Sequence, residues 1–154
     1  MKYEVVANLK TGKLTGFGKT INISCIVRNE VNGWRKKHEV IKSIPSNKPI
    51  QPRQFPKGEW NILRPVTRED PYLAPFFIPT DAFQFLPIWE LDSNGHYSKP
   101  TDEMVKDKGY GLHTSTSNTT QGCIKILKLD DLLWFVTNII NALDNKNTVS
   151  LLVV

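Results

Sequence analysis

The chain has 154 residues, of which 40% are hydrophobic and 23% are charged. These proportions are ordinary for a globular protein and exclude a fibrous or intrinsically disordered chain. Twenty lysines and arginines against fifteen aspartates and glutamates give a formal charge of +5, but the basic residues form only one run of three, at 35–37. We therefore expect a single domain over 1–154 and no nucleic-acid partner.

The sequence carries no membrane or export signal of a familiar kind. No apolar stretch approaches the roughly 18 residues that a membrane span needs. The opening MKYEVVANLK also lacks the apolar centre of a secretory signal. We therefore expect no membrane span, and synthesis in the cytoplasm. Two cysteines make no disulfide framework, and three scattered histidines predict neither a metal site nor a cofactor.

Short strands separated by glycine turns are predicted for the first part of the chain. TGK at 11–13 and TGFGK at 15–19 are typical of tight connections. Ile21, Ile23, Cys25 and Val27 then alternate with polar residues, which predicts a strand that places Cys25 in the core. The prolines between 43 and 56 predict a loop or a sheet edge, because each removes a backbone donor.

Further extended segments are predicted at 60–63, 76–78 and 83–90, with Pro87 indicating an edge or a break. After Lys128 the period changes. Apolar residues recur at three- and four-residue intervals, and Asp130 and Asp131 suit a helix start, which predicts a helix over 129–143. Asn145 to Asn147 end it, and TVSLLVV reads as a final strand. The predicted fold class is α+β, mainly β, with a late helix packed on the sheet.

The segment HTSTSNTTQGCIKI, from His113 to Ile126, holds one of the three histidines and one of the two cysteines. Apolar residues flank its polar loop, so a hairpin-like return is expected to bring His113 and Cys123 together. An adjacent imidazole stabilises the thiolate that attacks a carbonyl carbon, and Gly122 lets the backbone aim amide groups at a developing oxyanion. The same pattern also fits a buried thiol at a strand start, behind a solvated connector.

The run GLHTSTSNTTQGCIKI, followed by LDDLLWF and NTVSLLVV, resembles the L,D-transpeptidase catalytic domain, also called the YkuD-like fold. In that family a histidine ends one strand, and the motif Ser/Thr-x-Gly-Cys, followed by an apolar and a basic residue, supplies the nucleophile. The matching residues here are Thr120, Gln121, Gly122, Cys123, Ile124 and Lys125. The resemblance covers residues 40–154. It departs from the common pattern in a shorter loop, in Gln121 where a second histidine is frequent, and in Lys125 where arginine is usual.

This resemblance implies a β-rich sandwich or barrel and a cysteine nucleophile. Cys123 would attack the carbonyl carbon, His113 would accept the thiol proton, and the carbonyl of Thr114 would orient the imidazole. Backbone amides at Gln121, Gly122 and Cys123 would form the oxyanion hole. The further candidates for substrate contact are Lys125 for a carboxylate, Tyr110 as a groove wall, and Thr120 and Gln121 in the motif.

The resemblance also implies the substrate, namely peptidoglycan stem peptides. An L,D-transpeptidase and an L,D-carboxypeptidase pass through the same thioacyl-enzyme, and the lack of a signal suits the short members found among phage proteins and toxin effectors. We expect trimming of stem peptides, with transpeptidation a close second, at the bacterial wall or periplasm after delivery. An immunity or delivery protein is expected as a further partner. The alternative is a catalytically inert cell-wall-binding or phage structural module of the same fold.

Overall fold

The computed structural model describes residues 1–25, 54–70, 73–91, 93, 97–114 and 123–154. Val27, most of the proline-rich segment at 43–56 and the motif residues Thr120, Gln121 and Gly122 lie outside these ranges. The described part of the chain contains no helix that combines the length and apolarity of a membrane span.

Strands dominate the described residues. In chain order they are β1 (Lys2–Asn8), β2 (Lys13–Gly16), β3 (Lys19–Ser24), β4 (Gly58–Asn61), β5 (Val66–Thr67), β6 (Phe76–Pro79), β7 (Phe83–Leu91), β8 (Tyr97–Lys108), β9 (Gly111–His113), β10 (Ile124–Ile126) and β11 (Thr148–Val153). A helix, α1 (Leu129–Asp144), separates the last two. The predicted fold class, mainly β with a late helix, is confirmed.

Nine strands form one sheet in the order β4-β11-β1-β2-β3-β10-β9-β6-β5. The final strand β11 lies inside this sheet, parallel to β1 and antiparallel to β4. Val149, Leu151 and Val153 are buried on one face of β11, and Ser150 is buried on the other. β7 and β8 form a separate two-stranded ribbon, and its register shifts between Pro87 and Trp89. The break predicted at Pro87 is therefore confirmed.

The helix α1 is the centre around which the sheet curls. It buries one stripe, formed by Leu132, Phe135, Val136, Ile139 and Ala142, while Leu133 is 39% exposed because it lies off that stripe. α1 contacts β11, β10 and β6. In a flat sheet β11 and β6 would lie about 29 Å apart at about 4.8 Å per strand, which exceeds a helix diameter of about 10 Å. The sheet must therefore curve around α1.

Hydrogen bonds between the residues that follow β4 and those at the end of β6 stabilise the curled sheet. Ile62 forms a β-bridge with Thr80, and the amide of Leu63 donates to the carbonyl of Pro79 at 2.9 Å. The side chain of Asp81 accepts from the backbone amide of Asn61 at 2.7 Å. These bonds join the β4 end of the sheet to β6, near its other end.

The turn and strand predictions for the N-terminal part are confirmed. Gly12 has φ 69°, and the two-residue connection between β2 and β3 has φ 48° at Phe17 and 76° at Gly18. Ile21 and Ile23 are buried as the alternation predicts. Cys25 follows the end of β3 and is half-buried against the core, so it lies at the margin of the core rather than inside it.

Candidate active site

His113 and Cys123 lie at the ends of two neighbouring strands. β9 and β10 pair in parallel, with Leu112 opposite Ile124 and His113 opposite Lys125. The prediction of a hairpin-like return is wrong in direction, because a hairpin would make these strands antiparallel. Both strands instead take antiparallel partners on their outer sides, β6 beside β9 and β3 beside β10.

The register separates the side chains of these strands into two faces. Leu112 and Ile124 are fully buried in the core, with Ile78 beside Leu112 on β6. His113 and Lys125 project from the opposite face, because side chains alternate along a strand. Cys123 comes directly before Ile124, so the same alternation places it on the His113 face.

The register also sets the separation between His113 and Cys123. Lys125 lies opposite His113, and Cys123 comes two residues before Lys125 in the chain. Two residues at about 3.3 Å each and one strand spacing of about 4.8 Å put the two Cα atoms about 8 Å apart. An imidazole and a thiol that project from the same face are together long enough to span that gap.

The imidazole of His113 is held by its own neighbour in the chain. Its Nδ1 lies 3.0 Å from the carbonyl oxygen of Thr114. A carbonyl oxygen only accepts hydrogen bonds, so Nδ1 carries a proton and donates it, and in the neutral tautomer that makes this bond Nε2 is the unprotonated nitrogen. The residue is only 6% exposed. This is the tautomer that a general base acting through Nε2 requires.

The Cys123 thiol contacts the backbone of the connection between β8 and β9, residues 109–110. The Cys123 thiol is half-buried, and its Sγ lies 4.0 Å from the carbonyl oxygen of Gly109. Gly109 has φ 96°, a left-handed conformation that glycine adopts without a Cβ penalty. The thiol is therefore directed to the start of β9, with the backbone carbonyl as a weak acceptor.

Tyr110 belongs to the same connection between β8 and β9, and its side chain is buried in the core. The residue is 3% exposed, its hydroxyl donates to the buried carboxylate of Asp107, and it accepts from Nε2 of Gln84 at 2.7 Å. Its ring packs edge-on against Phe55. The expectation that Tyr110 walls an open groove is corrected: the phenol ring is a packing element, because its hydroxyl has polar partners in the interior.

The sequence did not single out Phe77, which packs beside the imidazole, or the two residues that adjoin Phe77, Arg68 and Gly111. The ring of Phe77 lies 6.2 Å from that of His113, and the Arg68 guanidinium lies 6.0 Å from the Phe77 ring. A Cβ on Gly111 would stand 2.4 Å from Cζ of Phe77 and 2.5 Å from the carbonyl oxygen of Ile78. The absence of a side chain at 111 thus lets Phe77 pack beside His113. The glycine in GYGLH, two residues before the histidine, was the available signal.

Substitution of Gly111 by alanine is expected to destabilise the fold. The new methyl group would meet the backbone of β6, which cannot move without breaking its pairing with β9. We expect a loss of about 3 kcal/mol in the free energy of unfolding, as in overpacked cores. Urea denaturation measures it. Gly18→Ala is the control: no atom lies within 4 Å of a Cβ there, so its left-handed φ costs only about 1 kcal/mol. Equal losses in the two variants would contradict this account.

The remaining predicted site residues fall into two groups. Lys125 is half-buried on β10, opposite His113 in the register, and brings a positive charge to the same part of the sheet. Thr114 contributes its carbonyl oxygen, as described above. The roles expected of Thr120, Gln121 and Gly122 stay predictions, since these residues lie outside the described ranges.

Comparisons with known proteins give a distant structural similarity. No family model and no curated protein sequence matches this chain. The crystal structure of L,D-transpeptidase 1 from Mycobacterium tuberculosis aligns with 99% of this chain at 15% sequence identity and a TM-score of 0.42. The chain spans 58% of the length of that protein chain. Similarity at this level does not assign the chain to a family.

Proposed function

We propose that this chain is a cysteine-dependent acyl-transfer enzyme that acts on peptidoglycan stem peptides. The observation that carries the proposal is the hydrogen bond from Nδ1 of His113 to the carbonyl of Thr114 at 3.0 Å. In the neutral ring this bond leaves Nε2 as the basic nitrogen, and strand alternation assigns Cys123 to the same sheet face. The substrate class comes from the likeness of residues 113–126 to the L,D-transpeptidase motif.

The proposed reaction begins with transfer of the Cys123 thiol proton to Nε2 of His113. The sulfur then attacks the peptide carbonyl carbon, and the oxygen takes the negative charge, which the backbone amides at 121–123 would stabilise. Collapse of this intermediate expels the leaving amine, which takes the proton from the imidazolium. Water, activated by the same imidazole, then cleaves the thioester and restores the thiol.

Two positive charges in this part of the sheet suit the substrate. Lys125 lies opposite His113 on β10, and the Arg68 guanidinium lies 6.0 Å from the Phe77 ring, which packs beside His113. Stem peptides carry free carboxylates, which a guanidinium binds as a fork and an ammonium binds as a point charge. We therefore place the peptide between these cations, with its scissile carbonyl over Cys123. The wall or periplasm is the proposed place of action.

Purified stem tetrapeptides incubated with the protein and followed by mass spectrometry test this proposal. Shortened peptides that require Cys123 support trimming. Cross-linked dimers that require Cys123 would show that the reaction is transpeptidation and not hydrolysis, because an amine instead of water would then resolve the thioester. The absence of any Cys123-dependent product would overturn the enzymatic proposal.

A second candidate function is an inert wall-binding module. The observation that favours it is the contact of Cys123 Sγ with the Gly109 carbonyl, because a hydrogen bond from the thiol stabilises the protonated sulfur. An inert module would leave Cys123 as an ordinary half-buried thiol. Its alkylation rate would then be independent of His113.

A further inference from the structure

A cavity separate from His113 and Cys123 lies at the C-terminal end of α1, whereas β10 leads into the N-terminal end of that helix. The cavity has a volume of about 340 Å³. Two aromatic rings, Tyr3 and Phe17, form one part of its lining, and four asparagines and one alanine form the rest: Asn138, Asn141, Asn145, Asn147 and Ala142. Its volume falls at the lower end of the range of small-molecule sites, about 300–1,000 Å³.

The asparagines present a row of amides along one face of the helix. Asn138, Asn141 and Asn145 follow one another at three- and four-residue spacing. Nδ2 of Asn138 donates to the Trp134 carbonyl at 2.9 Å, and Nδ2 of Asn145 donates to the Asn141 carbonyl at 2.8 Å, so both keep a side-chain oxygen as acceptor. Within the described residues, the side-chain amides of Asn141 and Asn147 make no hydrogen bond. Asparagine is a weak helix former, so helix stability does not explain this row.

The aromatic part of the lining is held in an unusual backbone conformation. Phe17 has φ 48° in a two-residue turn, where asparagine or glycine is the usual choice. Its ring lies 5.2 Å from that of Tyr3 and also contacts Trp134 and Phe135. A bulky residue at such a position indicates that its side chain is needed there. Here the Phe17 and Tyr3 rings form an apolar wall beside the amides.

The charge around this cavity favours neutral ligands over anionic ones. Among the residues that the structure describes, no lysine, arginine, aspartate or glutamate lines the cavity. The C-terminal end of a helix carries a partial negative charge, which disfavours phosphate and carboxylate groups. Adenine also suits asparagine and aromatic rings, but a nucleotide would bring phosphates to this end of the helix. A neutral ligand with hydroxyl groups and an apolar face fits better.

We propose that this cavity binds a neutral saccharide built from N-acetylated amino-sugar units. The C–H face of a sugar ring would lie on Tyr3 and Phe17. Its hydroxyl and acetamido groups both donate and accept hydrogen bonds, as carboxamides do, so each can pair with the asparagine row. The proposal is independent of the chemistry at Cys123, since none of the lining residues belongs to that site.

Isothermal titration of the full chain with an oligomer of four N-acetylglucosamine units tests the site. We expect saturable binding that weakens at least tenfold in Asn141→Leu and in Asn147→Ala. Thr137→Ala is the matched control, an exposed helix residue outside the cavity, and should bind as the wild type does. Cys123→Ala should also bind normally, which separates this site from the proposed enzymatic one.

Two comparison ligands define the specificity. Cellotetraose lacks the acetamido groups and should bind at least tenfold more weakly than the N-acetylglucosamine oligomer. ATP should show no saturable binding at this site. Absence of saturable binding by the N-acetylglucosamine oligomer, equal affinity in the asparagine variants, or tighter binding of ATP would each overturn the proposal.

Discussion

Cys123→Ala is expected to lower the rate of stem-peptide cleavage by at least roughly 10⁴-fold, since removal of a catalytic nucleophile can cost about 10⁶-fold. Without Sγ no thioacyl intermediate forms, and the imidazole alone activates water poorly on an amide. The substitution removes one half-buried atom, so the fold should be retained. Rates of product formation from purified stem tetrapeptides, measured by mass spectrometry, give the ratio.

The second cysteine provides the matched control for this experiment. Cys25 is also half-buried, but it follows β3 and packs at the margin of the core. Cys25→Ala should therefore retain the wild-type rate. Cleavage by Cys123→Ala at more than a tenth of the wild-type rate would show that another group does the chemistry.

His113→Asn is expected to lower the same rate by roughly 10³-fold, within the range for a general base. The asparagine Nδ2 can donate to the Thr114 carbonyl in place of the imidazole Nδ1. The variant therefore keeps the buried hydrogen bond while it loses the basic nitrogen. His113→Ala should show a comparable loss of rate and, in addition, a lower free energy of unfolding, because it leaves the carbonyl unpaired.

Steady-state cleavage rates and urea denaturation separate these two effects. A normal rate in His113→Asn would mean that the ring serves packing against Phe77 rather than proton transfer. As a further check, free imidazole in the buffer should restore part of the activity of His113→Ala, since the deleted ring leaves space beside Phe77.

The helix and the short strands could be predicted because local periodicity determines them. Leu132, Val136 and Ile139 repeat at helical spacing, and all three are buried against the sheet. The late helix and the terminal strand follow from the same kind of pattern. The turn at Phe17 and Gly18 was also predicted, since glycine permits the left-handed backbone found there.

The direction of β10 relative to β9 could not be predicted from local pattern. Leu112 and Ile124 face the core whether the strands run parallel or antiparallel, so alternation is silent on direction. The outer partners β3 and β6 complete the pairing of these strands, and they are distant in sequence. The same long-range register brings Phe77 to His113, which is why Gly111 and Phe77 escaped notice.

The cavity at the end of α1 was missed for a related reason. Asn145 and Asn147 were read as helix-ending residues, and their lining role depends on Tyr3 and Phe17 from the other end of the chain. Parallel pairing of β1 with β11 places these distant segments together. Sequence spacing within the helix shows the asparagine row, but not the aromatic rings that face it.

Alkylation of Cys123 by iodoacetamide at neutral pH tests the central claim, that His113 activates this thiol, without any assumption about substrate. Peptide mass spectrometry would follow Cys123 and Cys25 separately in the wild type and in His113→Asn. We predict that Cys123 reacts at least about tenfold faster than Cys25 in the wild type and loses this advantage in the variant, because the thiolate is the reactive form. Equal Cys123 rates in the two proteins would contradict the account and favour the inert module.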